Sequence, residues 1–136
     1  DKNISINNIE NAKIVPYIYN MEEIMNISNL IVARSGALTI TEISNLGKPS
    51  ILIPLPNVSG NHQLYNAKVL EDVGAAKIIL NDELNYDNLN AQIEEIVLDK
   101  NKELQMSKNS LKVSTNNVED KIYNEIVRVI KEKKNV

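Results

Sequence analysis

The sequence predicts an α/β domain, a parallel sheet with helices on both faces, and three features of its patterning carry that expectation. Short apolar runs recur at 14–18, 30–33, 50–55 and 76–80. They are nearly continuous rather than alternating, as expected of parallel strands buried on both sides. Segments with helical spacing separate them, so each strand is followed by a helix, which implies right-handed crossovers. Glycine and proline punctuation falls between the segments, at Gly47 with Pro49 and again at Gly74, where helix stops are expected.

Taken in order, Ile14-Val15-Pro16-Tyr17-Ile18 reads as the first strand, and Met21, Ile24 and Met25 as a short helix after it. Leu30-Ile31-Val32-Ala33 is the second strand. Ile40, Ile43 and Leu46 space the next helix up to Gly47, and Ser50 to Leu55 is the third strand. Leu64, Ala67, Leu70 and Val73 recur at three-residue steps before Gly74, and Ala76 to Leu80 is the fourth strand. Beyond Leu80 only helical stripes remain. These are Leu89, Ile93, Ile96 and Val97, then a weaker Leu104 with Leu111, then Val118, Ile122, Ile126, Val129 and Ile130. The whole, 1–136, is expected to be a single domain, with strand–helix repeats in 1–80 and a helical part in 81–136.

Composition narrows the function classes. With 43% hydrophobic and 24% charged residues the chain is ordinary globular material, and a net charge of −3 argues against a nucleic-acid surface. Cysteine is absent and histidine occurs once, which removes disulfide frameworks, thiolate metal sites and paired-histidine zinc sites. No apolar run approaches the roughly 20 residues that span a bilayer. The basic run Lys131-Glu132-Lys133-Lys134 reads as a solvated helix end.

Ligands of open α/β sheets bind outside the carboxyl ends of the strands. Those ends are Tyr17 to Met21, Arg34 to Thr39 and Pro54 to Gln63. The second carries the most chemistry, because Arg34-Ser35-Gly36-Ala37-Leu38-Thr39-Ile40-Thr41-Glu42 runs from a strand through a Ser-Gly turn into a helix start. Such a start leaves backbone N–H groups unpaired beside a partial positive charge and suits a phosphate. Glu42, just inside the helix, is a carboxylate placed to accept hydrogen bonds from a sugar diol. The same Thr39-x-x-Glu42 spacing also fits a helix capping box.

These residues resemble the carboxyl-terminal half of the MurG family of glycosyltransferases. The resemblance rests on Arg34 through Glu42, on Gly47-Lys48-Pro49-Ser50-Ile51-Leu52-Ile53-Pro54, on Asn61-His62-Gln63-Leu64-Tyr65-Asn66-Ala67 and on Leu70 through Ala76. It is dense from about Ile14 to Leu80. It implies one Rossmann-like half of a two-domain GT-B enzyme that transfers N-acetylglucosamine from UDP, with inversion, to a lipid-linked muramyl-pentapeptide at the cytoplasmic face of the bacterial membrane. Carried onto this chain, it assigns Ile18 to the uracil, with Tyr17 and Met21 lining the base pocket. Ala37, Leu38 and Thr39 face the pyrophosphate, Glu42 the ribose, and Gln63, with His62 beside it, the sugar hydroxyls. No cofactor and no metal are implied.

The family's acceptor-binding domain, its proposed catalytic base and the first glycine-rich turn of this domain have no counterpart here. The resemblance therefore implies a donor-binding part without catalysis of its own, reaching acceptor and membrane through the missing amino-terminal domain. It also implies strands absent between the first two, and hence a gap or a free sheet edge. Two other readings stand beside this one: a non-catalytic nucleotide-sugar module that needs a membrane-bound partner, and another GT-B UDP-sugar enzyme such as an epimerase or a glycolipid glycosyltransferase. Among single residues, Arg34 offers a guanidinium either to the pyrophosphate or, as the favoured reading, to bracing the turn. Ser35 and Gly36 stand with it as further candidates. His62 is read as a donor-side residue, not a base, and Asn66 as a packing or capping residue.

Overall fold

In the computed structural model, which describes residues 11–56 and 61–114, three short parallel strands form the sheet of the described residues. The elements run α1 (Met21–Ile27), β1 (Ile31–Ala33), α2 (Ala37–Asn45), β2 (Ser50–Leu52), α3 (His62–Glu71), β3 (Ala76–Ile78), α4 (Tyr86–Val97) and α5 (Lys100–Val113). Strand order is β1-β2-β3, with Val32 opposite Ile51 and Ile51 opposite Lys77. The final stripe from Val118, the basic run at 131–134 and the loop 57–60 lie outside the described residues.

Alternation along the strands separates two cores. On one face Ile31, Leu52, Ala76 and Ile78 meet Met25 of α1, Ile40 and Ile43 of α2, and Ala67 and Leu70 of α3. On the other, Ile51, Ile53 and Ile79 meet Leu89, Ile93 and Ile96 of α4 and Met106 of α5. Layers of helix, sheet and helix result, as the continuous apolar runs require of strands covered on both sides.

Both glycine stops close their helices in the same way. Gly47 (φ +61°) donates to Ser44 O at 3.1 Å while Lys48 N reaches Ile43 O at 3.0 Å. Gly74 (φ +72°) donates to Glu71 O, and Ala75 N to Leu70 O, each at 2.8 Å. These paired bonds are the Schellman pattern, whose left-handed residue favours glycine. Helix α5 crosses beneath them. Its Asn109 Nδ2 donates to Gly74 O at 3.3 Å, its Ser110 Oγ to Ile43 O at 3.3 Å, and its Val113 packs against the first core while Met106 lies in the second. The amino ends of β2 and β3 are thus covered by α5.

Residues 14–18 are not a strand, which corrects the sequence expectation. Ile14, Val15 and Tyr17 are exposed and the segment pairs with nothing in the sheet. An apolar run becomes a strand only where a neighbour supplies ladder partners, no described segment does so beyond β1, and Pro16 lacks a donor of its own. The remaining strands are also shorter than their apolar runs. Ile53 and Ile79 still bond across the sheet, to Ala33 O at 2.9 Å and Leu52 O at 3.0 Å, but Pro54 ends the donor pattern on β2.

Candidate functional site

Helix α2 starts where β1 ends. Gly36 is its N-cap residue, in extended conformation, and no side chain caps the terminus. The first helical bond is Ile40 N to Gly36 O at 3.0 Å, so the amides of Ala37, Leu38 and Thr39 lie ahead of the ladder. A Cβ built on Gly36 would meet only Thr39 Oγ1, at 3.9 Å. Glycine here leaves the terminus uncovered, and its φ of −62° would suit any residue. The capping-box reading of Thr39 and Glu42 is excluded, since Thr39 lies three residues inside the helix rather than at its cap.

Glu42 is half-buried and its carboxylate has no hydrogen-bond or ion-pair partner among the described residues. It faces a cavity of about 250 Å³ between α1 and α2, shared with Glu22, Met25, Asn45 and Leu46. Asn45 Oδ1 is taken by Ser114 Oγ at 2.8 Å. The sequence singles out Glu42 but not Glu22 or Asn45 of this cavity. Neither lies in a motif, and only the packing of α1 on α2 brings them to the same cavity.

Ile18 is half-buried and lines a second cavity, of about 320 Å³, with Lys13, Val15, Tyr17, Tyr19, Asn20 and Ile24. Tyr17 and Tyr19 meet edge to face with ring centroids 4.9 Å apart. Met21 opens α1, is 43% exposed and does not line this cavity. Helix α1 separates the two cavities, since its Ile24 faces one and its Glu22 and Met25 the other.

The Arg34-Ser35 pair joins the ends of β1 and β2 to the start of α3. Arg34 Nη1 donates to Asn81 Oδ1 at 3.0 Å and to Ile53 O at 3.2 Å, with Pro54 O at 3.5 Å. Ser35 is fully buried, its Oγ donating to Gln63 O at 2.7 Å, and its own carbonyl accepts from Asn66 Nδ2 at 3.1 Å. Arg34, Ser35 and Asn66 therefore act as braces. The partners of Arg34 are two backbone carbonyls and a side-chain amide. Gln63 Oε1 accepts from Leu55 N at 2.9 Å, leaving its Nε2 donors free among the described residues. His62 is exposed at the first position of α3, after Asn61 at φ +54°.

No group of three histidine, cysteine, aspartate or glutamate side chains among the described residues is placed to hold a metal ion. No helix among them is long and apolar enough to cross a membrane. The uncapped start of α2 lies beside Gln63, whose carbonyl Ser35 holds, while the unpartnered carboxylate of Glu42 faces its own cavity along α2. The class so defined is a layered α/β domain with polar groups not spent on the protein among the described residues.

Comparison with known proteins places that class in a family. The model of the glycosyltransferase family 28 C-terminal domain matches residues 1–122, and the chain belongs to this family. A protein of Ruminiclostridium cellulolyticum named UDP-N-acetylglucosamine–N-acetylmuramyl-(pentapeptide) pyrophosphoryl-undecaprenol N-acetylglucosamine transferase is 45% identical over 119 residues, 88% of this chain and 33% of the relative. Its namesake in Acetivibrio thermocellus is 42% identical over 123 residues, 90% of this chain and 33% of the relative. The crystal structure of Acinetobacter baumannii MurG superposes with a TM-score of 0.72 at 29% identity, covering 85% of this chain and 33% of that one. The chain spans about a third of the length of these relatives. The parallel α/β architecture expected from the sequence is the one shared with that crystal structure.

Proposed function

We propose that this chain is the donor-binding part of an inverting N-acetylglucosaminyltransferase and holds UDP-N-acetylglucosamine at the carboxyl ends of its strands. The uncapped start of α2 carries the reading. Three amides free of the helix ladder, at Ala37, Leu38 and Thr39, meet a helix dipole, and no side chain among the described residues caps them. Pyrophosphate is the ligand group that such a terminus stabilises best, before transfer and more strongly as UDP departs. Glu42 then accepts from the ribose hydroxyls, Ile18 offers its backbone to the base beside Tyr17, and Gln63 donates to the sugar. His62 lies next to Gln63 on the donor side.

Backbone donors and the helix terminus meet the phosphate charge without a metal or cofactor. The acceptor, a lipid-linked muramyl-pentapeptide, and the cytoplasmic face of the membrane are reached through the part of the relatives that this chain does not span. Transfer by this chain alone is not expected.

Titration of the chain with UDP-N-acetylglucosamine, UDP-glucose and UDP, followed by calorimetry, tests the assignment. Glu42→Ala should weaken all three by about tenfold, the worth of a charge-assisted hydrogen bond. Gln63→Ala should weaken the two nucleotide sugars and spare UDP. Wild-type affinities retained by both variants would sink the reading.

A further inference from the structure

We infer that Arg34 is a positioning residue for Gln63 and acts through a single peptide plane rather than by touching the ligand; this rests on the assignment of Gln63 to the donor sugar. The peptide joining Pro54 to Leu55 presents its carbonyl to Arg34 Nη1, at 3.5 Å, and its N–H to Gln63 Oε1, at 2.9 Å. A trans peptide is planar and sets its oxygen and hydrogen on opposite sides. A side chain that holds the oxygen therefore fixes the direction in which the hydrogen points. The nearer bond to Ile53 O, at 3.2 Å, pins the preceding carbonyl of the same strand end, and Asn81 Oδ1, at 3.0 Å, orients the guanidinium from the turn after β3.

Two consequences follow for Gln63. Its side-chain oxygen is committed to Leu55, so its NH₂ group is the half left to face a ligand, and Gln63 acts there as a donor. Its backbone is set by the same stretch of chain, because Ser35, next to Arg34, donates to Gln63 O at 2.7 Å. Both ends of the glutamine are thus located by Arg34-Ser35. The guanidinium spends its Nη1 on protein oxygens, two of them carbonyls of the β2 end, so a phosphate is not needed to explain its place. Bonds in such a chain polarise one another, so loss of the first weakens the next.

The test has two arms on this chain. Hydrogen exchange reads the relay without any ligand. Arg34→Ala and Gln63→Ala should each speed exchange of the Leu55 amide by about tenfold or more, while the amides of Ile43 and Leu70 keep their rates. An unchanged Leu55 rate in Arg34→Ala overturns the relay, as does an equal rise at all three amides, which reports global loosening.

Titration forms the second arm. Arg34→Ala should weaken UDP-N-acetylglucosamine by about as much as Gln63→Ala does and change UDP by less than about twofold. The double variant should lose no more than either single one, the mark of coupled residues. Asn81→Ala, which disturbs the guanidinium without altering the strand end, should shift the same ratio in the same direction by less. A parallel loss of UDP and UDP-sugar in Arg34→Ala overturns the proposal in favour of phosphate contact. If Gln63→Ala itself leaves the sugar affinity unchanged, the sugar assignment fails, even where Leu55 exchange shows the relay intact.

Discussion

Glu42 and Asn66 are both polar residues inside motifs, and the fold uses them in opposite ways. Asn66 spends its amide on Ser35 O, whereas the carboxylate of Glu42 faces a cavity without a protein partner. A half-buried carboxylate with no bond to lose contributes little to stability. Glu42→Ala is therefore expected to leave the unfolding midpoint in denaturant almost unchanged, within about 0.5 kcal/mol. A capping role would instead cost about 1 kcal/mol. A destabilisation of that size, measured by urea unfolding, would revive the cap and weaken the ligand role. At this scale the sequence showed residue types but not their partners. Arg34 was legible as a brace, yet its acceptors, Ile53, Pro54 and Asn81, come from other strand ends and are 19 to 47 residues away.

Among elements, helix stops and three of the four expected strands, with their parallel sense, were legible, and the missing neighbour of the first run was not. Gly47 and Gly74 announce themselves because a left-handed terminal residue is a local demand, met within one turn of backbone. Residues 14–18 failed as a strand because pairing is a nonlocal demand, and apolar composition cannot supply the neighbour. The caps of α4 and α5, Asn85 accepting from Asn88 N and Asp99 accepting from Asn101 N and Lys102 N, are local signals of the same kind as the glycines. Gly47 also shows where a local demand meets a tertiary one. A Cβ there would lie 2.6 Å from Leu111 Cγ on α5, in addition to the strain of φ +61°. Gly47→Ala should destabilise the chain by about 2 kcal/mol, the sum of a left-handed alanine and an overpacked contact. Adding Leu111→Ala should not restore wild-type stability, because the backbone strain stays and a hydrophobic contact is lost. It should still cost less than the two single effects added together. Additive losses in a double-mutant unfolding cycle would show that the glycine matters for φ alone.

At the scale of the molecule, one carboxylate ties the second core's covering layer to the sheet. Glu95 of α4 pairs with Lys77 of β3 through one oxygen and with Lys102 of α5 through the other. The hydrogen bond from Lys102, then that from Lys77, lowers its pKa from 4.5 to about 2. The sign follows from that direction. The folded state holds Glu95 ionised to lower pH than the unfolded chain does, so the pair's contribution is complete above the unfolded value. It is lost as pH falls from about 4.5 towards 2. Glu103, lowered by Asn29 and then Lys100, adds to the loss in the same direction. The side chain of Glu95 is 47% exposed, so water and salt screen much of the interaction. The expected observation is a difference in slope. Between pH 5 and 2 the melting temperature of the wild type should fall more steeply than that of Glu95→Gln, which keeps the shape of the side chain and cannot titrate. Part of the residual slope of the variant should come from Glu103 and be lost in a Glu95→Gln, Glu103→Gln double variant. Raising the salt should bring the wild-type curve towards the single variant, since these pairs are half-exposed. Parallel curves for wild type and Glu95→Gln across that window would show that the three elements are held by the apolar core of Ile51, Ile79, Ile96 and Met106 alone.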